Sequence, residues 1–400
     1  MKKSIKIILV LFHLLFLAGC ADETEDTEAN PWTAIREQFG SAIDPDNLDN
    51  YSNQGKPSYI IKDNTNGNVI DNAKATLGRV LFYDKQLSID NTVACASCHQ
   101  QNSGFSSLGQ VSKGVEGGTT ARHSMRLINS RFGAEIKFFW DERAATLEQQ
   151  TTQPMRDHAE MGFSGQNGRP AFSDLIQKLS EIGYYEELFI IAYGDSEITE
   201  ARIQQSLAQF IRSIQSFDSK FDAGRIKVNA DNQPFPNYTP QENQGKNLFI
   251  QPPAFDGTGS RVGGGAGCAG CHAPPEFDIA PNSRNNGVTG RINSTVPDFT
   301  VTRSPSLRDL TDAFGNPNGP LMHDGSFNSL EAVIEHYNNI PIVAGNNNLD
   351  PKLRPNGMPQ KLNLTDTEKQ SLIAFLKTLR GNAVYSDKKW SDPFQNPSLN

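Results

Sequence analysis

Hydrophobic residues recur at intervals of three and four along much of the chain, whereas the alternating pattern of a half-buried strand is scarce. Apolar residues spaced in this way fall on one face of a helix. The clearest stretch lies between Thr199 and Ser216, and its apolar positions are Ile203, Leu207, Phe210, Ile211 and Ile214. A second stretch contains Leu330, Val333, Ile334 and Tyr337. The pattern predicts a packing helix in each stretch, with Tyr337 pointing inward.

Two other segments carry the signals of a helix N-terminus. Thr239 and Glu242 form a capping box with Pro240 at the first helical position, and Thr365 and Glu368 repeat the box farther along the chain. The chain also has 33 glycines and 23 prolines, which favour long irregular loops between helices. We therefore predict an all-α fold with extensive irregular loops.

The N-terminus has the pattern of an export signal. A basic start precedes an apolar run of 13 residues, from Ile7 to Gly19, which is too short to span a membrane. The segment from Leu17 to Cys20 resembles the lipobox of bacterial lipoproteins, so residues 1–19 are predicted to be a lipoprotein signal peptide and Cys20 the lipidated residue. The alternative is an ordinary cleavage site beside an incidental cysteine. Residues 20–35 begin with five acids in eight positions after Cys20, which predicts an acidic tether.

The net charge and the predicted export signal limit the classes of binding partner. Removing the three lysines of the signal peptide changes the net charge from −8 to −11. Nucleic acid is therefore an unsuitable partner, whereas a basic protein partner is favoured electrostatically. We predict an exported protein, either periplasmic or a lipoprotein at the outer membrane or cell surface, that contacts the membrane through its lipid anchor only.

The remaining four cysteines all lie in two copies of one motif, Cys95-Ala96-Ser97-Cys98-His99 and Cys268-Ala269-Gly270-Cys271-His272. C-x-x-C-H is the attachment motif of c-type haem, in which both thiols form thioethers to the porphyrin and the histidine becomes the proximal iron ligand. The motifs thus predict two covalent haems, with thioethers from Cys95, Cys98, Cys268 and Cys271 and iron ligation by His99 and His272. Structural disulfides and a zinc site are the alternatives.

A weaker repeat surrounds the two motifs. Residues 78–82 match residues 245–249 upstream of each motif, and residues 140–148 match residues 323–331 downstream. The repeat predicts two c-type cytochrome-like haem domains. Their predicted bounds are 36–222 for the N-terminal haem domain and 223–385 for the C-terminal haem domain, followed by a C-terminal tail at 386–400.

With these motifs in place, the sequence resembles the bacterial diheme cytochrome c peroxidases and their MauG-type relatives over roughly residues 70 to 385. Besides the haem motifs, the resemblance is carried by Phe139-Trp140-Asp141 with Arg143, residues 147–150, Glu160-Met161-Gly162, and Met322-His323-Asp324-Gly325. It implies that Glu160 is the acid/base over the N-terminal haem and Gln150 a polarising hydrogen-bond donor. It also implies that Trp140 bridges the two haems. The alternatives are solvated polar residues and an ordinary core tryptophan.

The sequence departs from the peroxidase pattern at two positions. Peroxidases that need reductive activation have a histidine that blocks the N-terminal iron, and counting from Arg122 places Val115 there. Valine cannot ligate iron, so this haem is expected to be open without activation. His123 or His158 could substitute as the ligand, although hydrogen-bonded or surface histidines are the alternative.

The second departure concerns the distal ligand of the C-terminal haem. This ligand is a methionine in the peroxidases and a tyrosine in the MauG-type enzymes, and the equivalent position here is Tyr337. Met358 is the alternative ligand. The resemblance also implies a calcium ion between the domains, but His123 takes the place of its asparagine ligand and is a poor ligand for calcium. Calcium binding is therefore doubtful, and His323 is expected to lie near the C-terminal haem without ligating iron.

The resemblance implies a peroxidase that reduces hydrogen peroxide to water with electrons from a small cytochrome c or a cupredoxin. The second hypothesis, favoured by Val115 and Tyr337, is a MauG-like oxidase that stores two oxidising equivalents across both haems and oxidises a protein or organic substrate through Trp140. A third is an electron carrier with both irons closed. Glu160 and Gln150 argue against the carrier, because electron transfer alone needs no proton shuttle.

Overall fold

The computed structural model describes residues 31–65 and 67–395. The predicted signal peptide and Cys20 lie outside the described residues. The α-helices of the described part are α1 (Thr33–Phe39), α2 (Asn72–Tyr83), α3 (Cys95–Cys98), α4 (Leu147–Thr151), α5 (Gln153–Arg156), α6 (Phe172–Ser180), α7 (Gly183–Tyr193), α8 (Glu200–Ser213), α9 (Lys220–Arg225), α10 (Pro240–Ile250), α11 (Leu330–Asn338) and α12 (Asp366–Lys377). Long irregular segments connect them, and none of these helices is long and apolar enough to cross a membrane.

The helices begin where the capping signals place them. Thr239 accepts a hydrogen bond from the Glu242 amide, and the Glu242 carboxylate accepts one from the Thr239 amide, so the capping box of α10 is complete. Thr365 and Glu368 make the same pair of bonds at the start of α12. Helix α8 begins directly after Thr199, as predicted from the apolar pattern. These side chains satisfy amides that have no partner within the helix.

Two short antiparallel hairpins correct the all-α prediction to a mostly-α fold. Strand β1 (Pro253–Phe255) pairs with β2 (Arg261–Gly264), and β3 (His272–Ala273) pairs with β4 (Asp278–Ile279). In the second hairpin, His272 lies opposite Ile279. Segments this short carry no alternating pattern, so the sequence did not reveal them.

The buried apolar residues form two large cores. The first contains residues between Ile35 and Ile214 together with Val384 and Trp390. The second contains residues between Phe221 and Leu379. The change from one core to the other lies close to the predicted domain boundary at 222/223, within or just before α9.

Each core is built on a helix crossing at which a glycine meets a serine carbonyl. A Cβ atom added to Gly78 of α2 would lie 2.0 Å from the backbone oxygen of Ser206 in α8. A Cβ atom added to Gly245 of α10 would lie 1.8 Å from the backbone oxygen of Ser371 in α12. Both distances are much shorter than a van der Waals contact, so only glycine allows the helices to pack this closely.

The aromatic residues next to these crossings repeat the same relation. Phe82 of α2 lies against Phe210 of α8 with ring centroids 5.2 Å apart, and Phe249 of α10 lies against Phe375 of α12 at the same distance. In both helix pairs the phenylalanine follows the glycine by four residues, and the partner phenylalanine follows the serine by four. The weak sequence repeat thus corresponds to a repeated three-dimensional unit.

Both ends of the described chain pack against the first core. Ile35, at the end of the predicted tether, is fully buried. In the segment predicted as a tail, the carbonyl oxygens of Lys389 and Trp390 accept hydrogen bonds of 2.6 Å from the phenols of Tyr51 and Tyr83. Tail residues through at least Trp390 are therefore part of the N-terminal half of the structure.

We expect Gly78→Ala and Gly245→Ala each to lower the free energy of unfolding by about 1–3 kcal/mol, because the new methyl group must push two helices apart. Thermal unfolding of the haem-loaded protein measures the effect. Gly183→Ala is the matched control, since the nearest atom to an added Cβ there is the Ala34 Cβ at 3.4 Å, an ordinary contact. Equal stability of all three variants would contradict the steric role of the two crossings.

Candidate cofactor-binding and active site

The two C-x-x-C-H motifs line separate cavities. Cys95, Cys98 and His99 line a narrow cavity of about 200 Å³, called here the first cavity. Cys268, Cys271 and His272 line the second cavity, of about 640 Å³. All four cysteines are free thiols, which argues against the structural-disulfide alternative.

The first motif is held in one helical turn. Helix α3 spans its two cysteines, and the Ser97 hydroxyl accepts a hydrogen bond from the Ala94 amide at 3.0 Å. His99 Nδ1 lies 3.2 Å from the carbonyl oxygen of Phe105. Because a carbonyl can only accept, Nδ1 carries the proton and the lone pair is on Nε2, the nitrogen available to a metal. Burial lowers the pKa of His99 to about 4, which keeps the ring in the neutral form that ligation requires.

The second motif is held by the short hairpin. The Cys271 amide donates a hydrogen bond to the Cys268 carbonyl at 3.1 Å, and the Cys271 carbonyl accepts one from the Ala280 amide at 2.7 Å. Burial lowers the pKa of His272 to about 4. A phenylalanine with a positive φ follows each motif, Phe105 at 56° and Phe277 at 57°. The two motifs therefore share local structure as well as sequence.

These observations fit covalent haem better than zinc. Within the described ranges, no three His, Cys, Asp or Glu side chains converge as a zinc site would require. Burial raises the pKa of Cys95 and of Cys268 to about 12, so both residues are neutral thiols in the metal-free protein. Each cavity offers two free thiols and one neutral imidazole to a macrocycle.

Glu160 and Gln150 both line the first cavity. The loop that carries Glu160 lies against the Val115 turn, where the Val115 amide donates to the Glu160 carbonyl at 3.1 Å. A Cβ atom added to Gly114 would lie 1.8 Å from the Ala159 oxygen, so a glycine is needed for this approach. No protein group of the described chain hydrogen-bonds the Glu160 carboxylate or the Gln150 amide, so both remain available to a molecule in the cavity.

The environment of Glu160 changes its acidity. Burial and, to a lesser extent, the negative charge of Asp157 raise the pKa of Glu160, the positive charge of Arg143 opposes both, and the resulting pKa is about 7. A carboxyl group with a pKa near neutral can both accept and release a proton at physiological pH.

Trp140 lies between the two cavities and lines both. Its indole N–H donates to the His123 carbonyl at 2.8 Å, and its own carbonyl accepts from the Thr302 and Arg303 amides, both at 3.0 Å. Its ring centroid lies 6.2 Å from that of His323. The boundary between the cavities, called here the shared wall, consists of His123, Met125, Arg126, Trp140, Arg303, Pro305 and Ser306.

Val115 stands at the position of the blocking histidine, and His123 and His158 are its possible substitutes. None of the three offers a free ligand atom to the first cavity. Val115 is 1% exposed and belongs to the first core. His123 has Nδ1 3.0 Å from the Gly109 carbonyl and Nε2 3.3 Å from the Ser106 hydroxyl, so both nitrogens are engaged. His158 is exposed, bonds Ser164 and does not line the cavity.

Tyr337 lines the second cavity at the inner face of α11. Its phenol oxygen accepts a hydrogen bond from Asn286 Nδ2 at 3.0 Å, and the same nitrogen lies 3.6 Å from the Met322 sulfur. Burial raises the pKa of Tyr337 above its usual value. Met358, the alternative ligand, is 45% exposed and does not line this cavity.

Met322 and Asn286 were not predicted as site residues. Met322 lies directly before His323, within a segment that carries the family resemblance, and a methionine there is a signal that sequence reasoning could have used. Asn286 lies in an irregular loop without any motif. His323 also lines the second cavity, and its Nε2 is 2.8 Å from the Gly290 carbonyl.

The proposed calcium position does not fit calcium in this chain. Both ring nitrogens of His123 are engaged by protein atoms, and the side chain has no oxygen to offer. The described residues therefore give no support for calcium at His123.

Comparison with known proteins agrees with this arrangement. Residues 72–229 match the family described as di-haem cytochrome c peroxidase. The methylamine utilization protein MauG of Methylophilus methylotrophus is 31% identical over 318 residues, which cover 78% of this chain and 83% of that protein. Cytochrome c551 peroxidase of Nitrosomonas europaea is 27% identical over 320 residues, covering 77% and 80% of the two chains.

Solved structures show the same fold. A MauG-like protein associated with microbial copper homeostasis superposes with a TM-score of 0.66 at 26% identity, covering 86% of this chain and 99% of that one. The diheme peroxidase BthA from Burkholderia thailandensis E264 superposes with a TM-score of 0.59 at 21% identity, covering 79% and 87%. The chain therefore belongs to the family of di-haem cytochrome c peroxidases and MauG proteins, which implies two c-type haems.

Proposed function

We propose that this protein reduces hydrogen peroxide to water at the first cavity, with electrons delivered by a small cytochrome c or a cupredoxin. The observation that carries the proposal is the pairing of Glu160 and Gln150 in the cavity of the first haem motif. Their polar groups have no protein partners in the described chain, and the pKa of Glu160 is about 7. An electron carrier would need neither group.

The first haem would be held by Cys95, Cys98 and His99, and when bound it supplies a site for peroxide and a route for electrons. The reaction takes one hydrogen peroxide, two electrons and two protons to two water molecules. As a carboxylate, Glu160 accepts the proton of the oxygen that binds and returns it to the oxygen that leaves. Gln150 donates a hydrogen bond that orients the peroxide and stabilises developing negative charge.

Trp140 is proposed to connect the two haem domains electronically. The support is its position in the shared wall and the three hydrogen bonds that hold its indole and backbone in place. Electrons would enter at the C-terminal domain, residues 223–385, and reach the N-terminal domain, residues 36–222, through this ring. The acidic surface expected from the net charge of −11 favours a basic donor protein.

A MauG-like oxidase is the second candidate. Val115 leaves no histidine to block the first iron, and Tyr337 lines the second cavity. The relative at 31% identity is itself named for methylamine utilization. In this case Trp140 would pass electrons from a protein or organic substrate toward the two haems. We further propose that Cys20 carries the lipid that anchors the exported protein to a membrane.

Peroxide turnover should decrease as the pH falls through about 7, because a protonated Glu160 cannot accept the peroxide proton. Asp157→Asn should move the midpoint of the pH profile to lower pH. The substitution removes the charge that raises this pKa, while the amide oxygen can still accept the Ala159 and Glu160 N–H groups. Steady-state turnover with a reduced cytochrome measures both effects.

Glu160→Gln should lower kcat/KM for peroxide by about 10²–10⁴-fold with both haems still attached. Glu116→Gln is the matched control, because Glu116 is an exposed glutamate that pairs with Arg169 and does not line the first cavity. Unchanged turnover in Glu160→Gln would remove Glu160 from the mechanism.

If Tyr337 ligates the second iron, Tyr337→Phe should alter the optical and electron paramagnetic resonance spectra of one haem only. Met358→Leu should leave both spectra unchanged, because this side chain lies outside the cavity. Met322→Leu tests the other side chain that Asn286 contacts. An altered spectrum in Met322→Leu together with an unaltered one in Tyr337→Phe would transfer the ligand role to Met322.

The fully oxidised protein should turn over peroxide at once, without prereduction by one electron, because no histidine stands at the position of Val115. Stopped-flow mixing with peroxide and a reduced cytochrome, with and without prereduction, measures the lag. The donor must not reduce the enzyme within the dead time. Turnover that begins only after prereduction would show that another ligand closes the first iron.

A further inference from the structure

Arg126 is a buried cation in the shared wall. Its side chain lines both cavities, and the residue is 7% exposed. The buried Nε has no hydrogen-bond partner, and no other group of the described chain accepts a hydrogen bond from this guanidinium. Burial lowers the pKa of Arg126, and electrostatic interactions with Tyr385 and Asp309 oppose that effect.

The other basic side chains at these cavities are already satisfied or exposed. Arg303, also in the shared wall, donates to the carbonyls of Glu135 and Lys137 at 3.1 and 2.7 Å. Arg122 pairs with Asp141 and Asp298 at 2.8 and 2.7 Å. Lys113 lines the first cavity but is exposed. Arg126 is thus the buried guanidinium whose hydrogen-bonding capacity remains for a ligand.

An arginine in this state requires an anion. Arginine stays protonated in proteins, and a buried charge without a partner is strongly destabilising. The planar guanidinium presents parallel N–H groups that match the two oxygens of a carboxylate. Each haem carries two propionate carboxylates, and once the thioethers and the histidine hold the macrocycle in its cavity, these groups also need partners.

We infer that Arg126 binds a propionate carboxylate of a haem in one of the two cavities and compensates its charge at the wall between them. The inference rests on the proposed pair of covalent haems. It makes Arg126 a positioning residue for the cofactor. It also predicts an electrostatic effect on iron, since a positive charge nearby favours the reduced, less positive state.

Arg126→Gln should lower the reduction potential of one haem, because the propionate charge is no longer compensated. We expect the oxidised-to-reduced ratio of that haem to rise about tenfold at a fixed potential, which corresponds to about 59 mV for one electron. Arg126→Lys keeps the charge, so it should lower the reduction potential of that haem by at most half as much as Arg126→Gln does. Spectroelectrochemical titration of the haem-loaded proteins measures the reduction potentials of both haems. The haem whose potential shifts is the one whose propionate binds Arg126. Lys227→Gln, which removes an exposed charge outside both cavities, should leave both potentials unchanged.

Unshifted potentials in Arg126→Gln would overturn the inference, as would equal shifts in Arg126→Gln and Arg126→Lys, because the effect would then come from packing. If these variants do not fold, a crystal structure of the haem-loaded wild-type protein decides. A propionate oxygen in hydrogen-bond contact with the guanidinium supports the inference, and water or an inorganic anion alone overturns it. Counting haems by the pyridine haemochrome method keeps the two proposals apart. Fewer than two haems in the wild type refutes the proposed function, whereas two haems with unshifted potentials refutes only the role of Arg126.

Discussion

The close contact between a glycine of one helix and a serine carbonyl of another is the constraint on which each half of the molecule depends. At Gly78 and at Gly245, the absence of a side chain brings two helix backbones together. The phenylalanines that follow by one helical turn can then meet across the interface at 5.2 Å. These two crossings set the positions of the cores against which the cofactor cavities are formed. Much of the remaining structure is irregular, so a rigid helix pair in each half supplies the frame that the loops lack.

The wall between the two cavities holds two of the residues on which the proposals rest. Trp140 is held there through its indole and its backbone, and Arg126 lies in the same wall with unused hydrogen-bonding capacity. An aromatic ring suits electron transfer, whereas a guanidinium suits carboxylates at the cofactor edge. One short layer of protein thus holds the residues proposed to carry electrons and to set the charge around the haems. This arrangement explains why residues far apart in sequence converge on a single boundary.

The two halves share a scaffold, yet they are equipped for different chemistry. The first cavity has the Glu160 carboxyl group, with a pKa of about 7, and the Gln150 amide, which has no side-chain hydrogen bond to any described residue; both groups suit proton transfer. The second has the half-buried phenol of Tyr337 and the sulfur of Met322, which lie 3.0 and 3.6 Å from the Asn286 side-chain nitrogen. Methionine raises the potential of a haem, whereas a phenolate favours oxidised iron. The residue that ligates the second iron therefore bears directly on the choice between a peroxidase and a MauG-like oxidase.

The sequence by itself determined the features that rest on local spacing. The capping threonines placed α10 and α12, the apolar period placed α8 and α11, and the two C-x-x-C-H motifs indicated the cofactor. These signals act within a few residues, so no knowledge of distant contacts is needed to read them. The resemblance then selected Glu160, Gln150 and Trp140, which the structure brings to the cavities.

Only the tertiary structure decided which groups were left without partners. Both nitrogens of His123 are engaged by Ser106 and Gly109, whereas the Nε of Arg126, three residues away, has no hydrogen-bond partner among the described residues. It also showed that Trp390 packs into the first core and that Met358 lies outside the second cavity. Hydrogen bonding and burial depend on neighbours that are distant in sequence. The same residue type can therefore have all its hydrogen-bonding groups satisfied at one position and available at another.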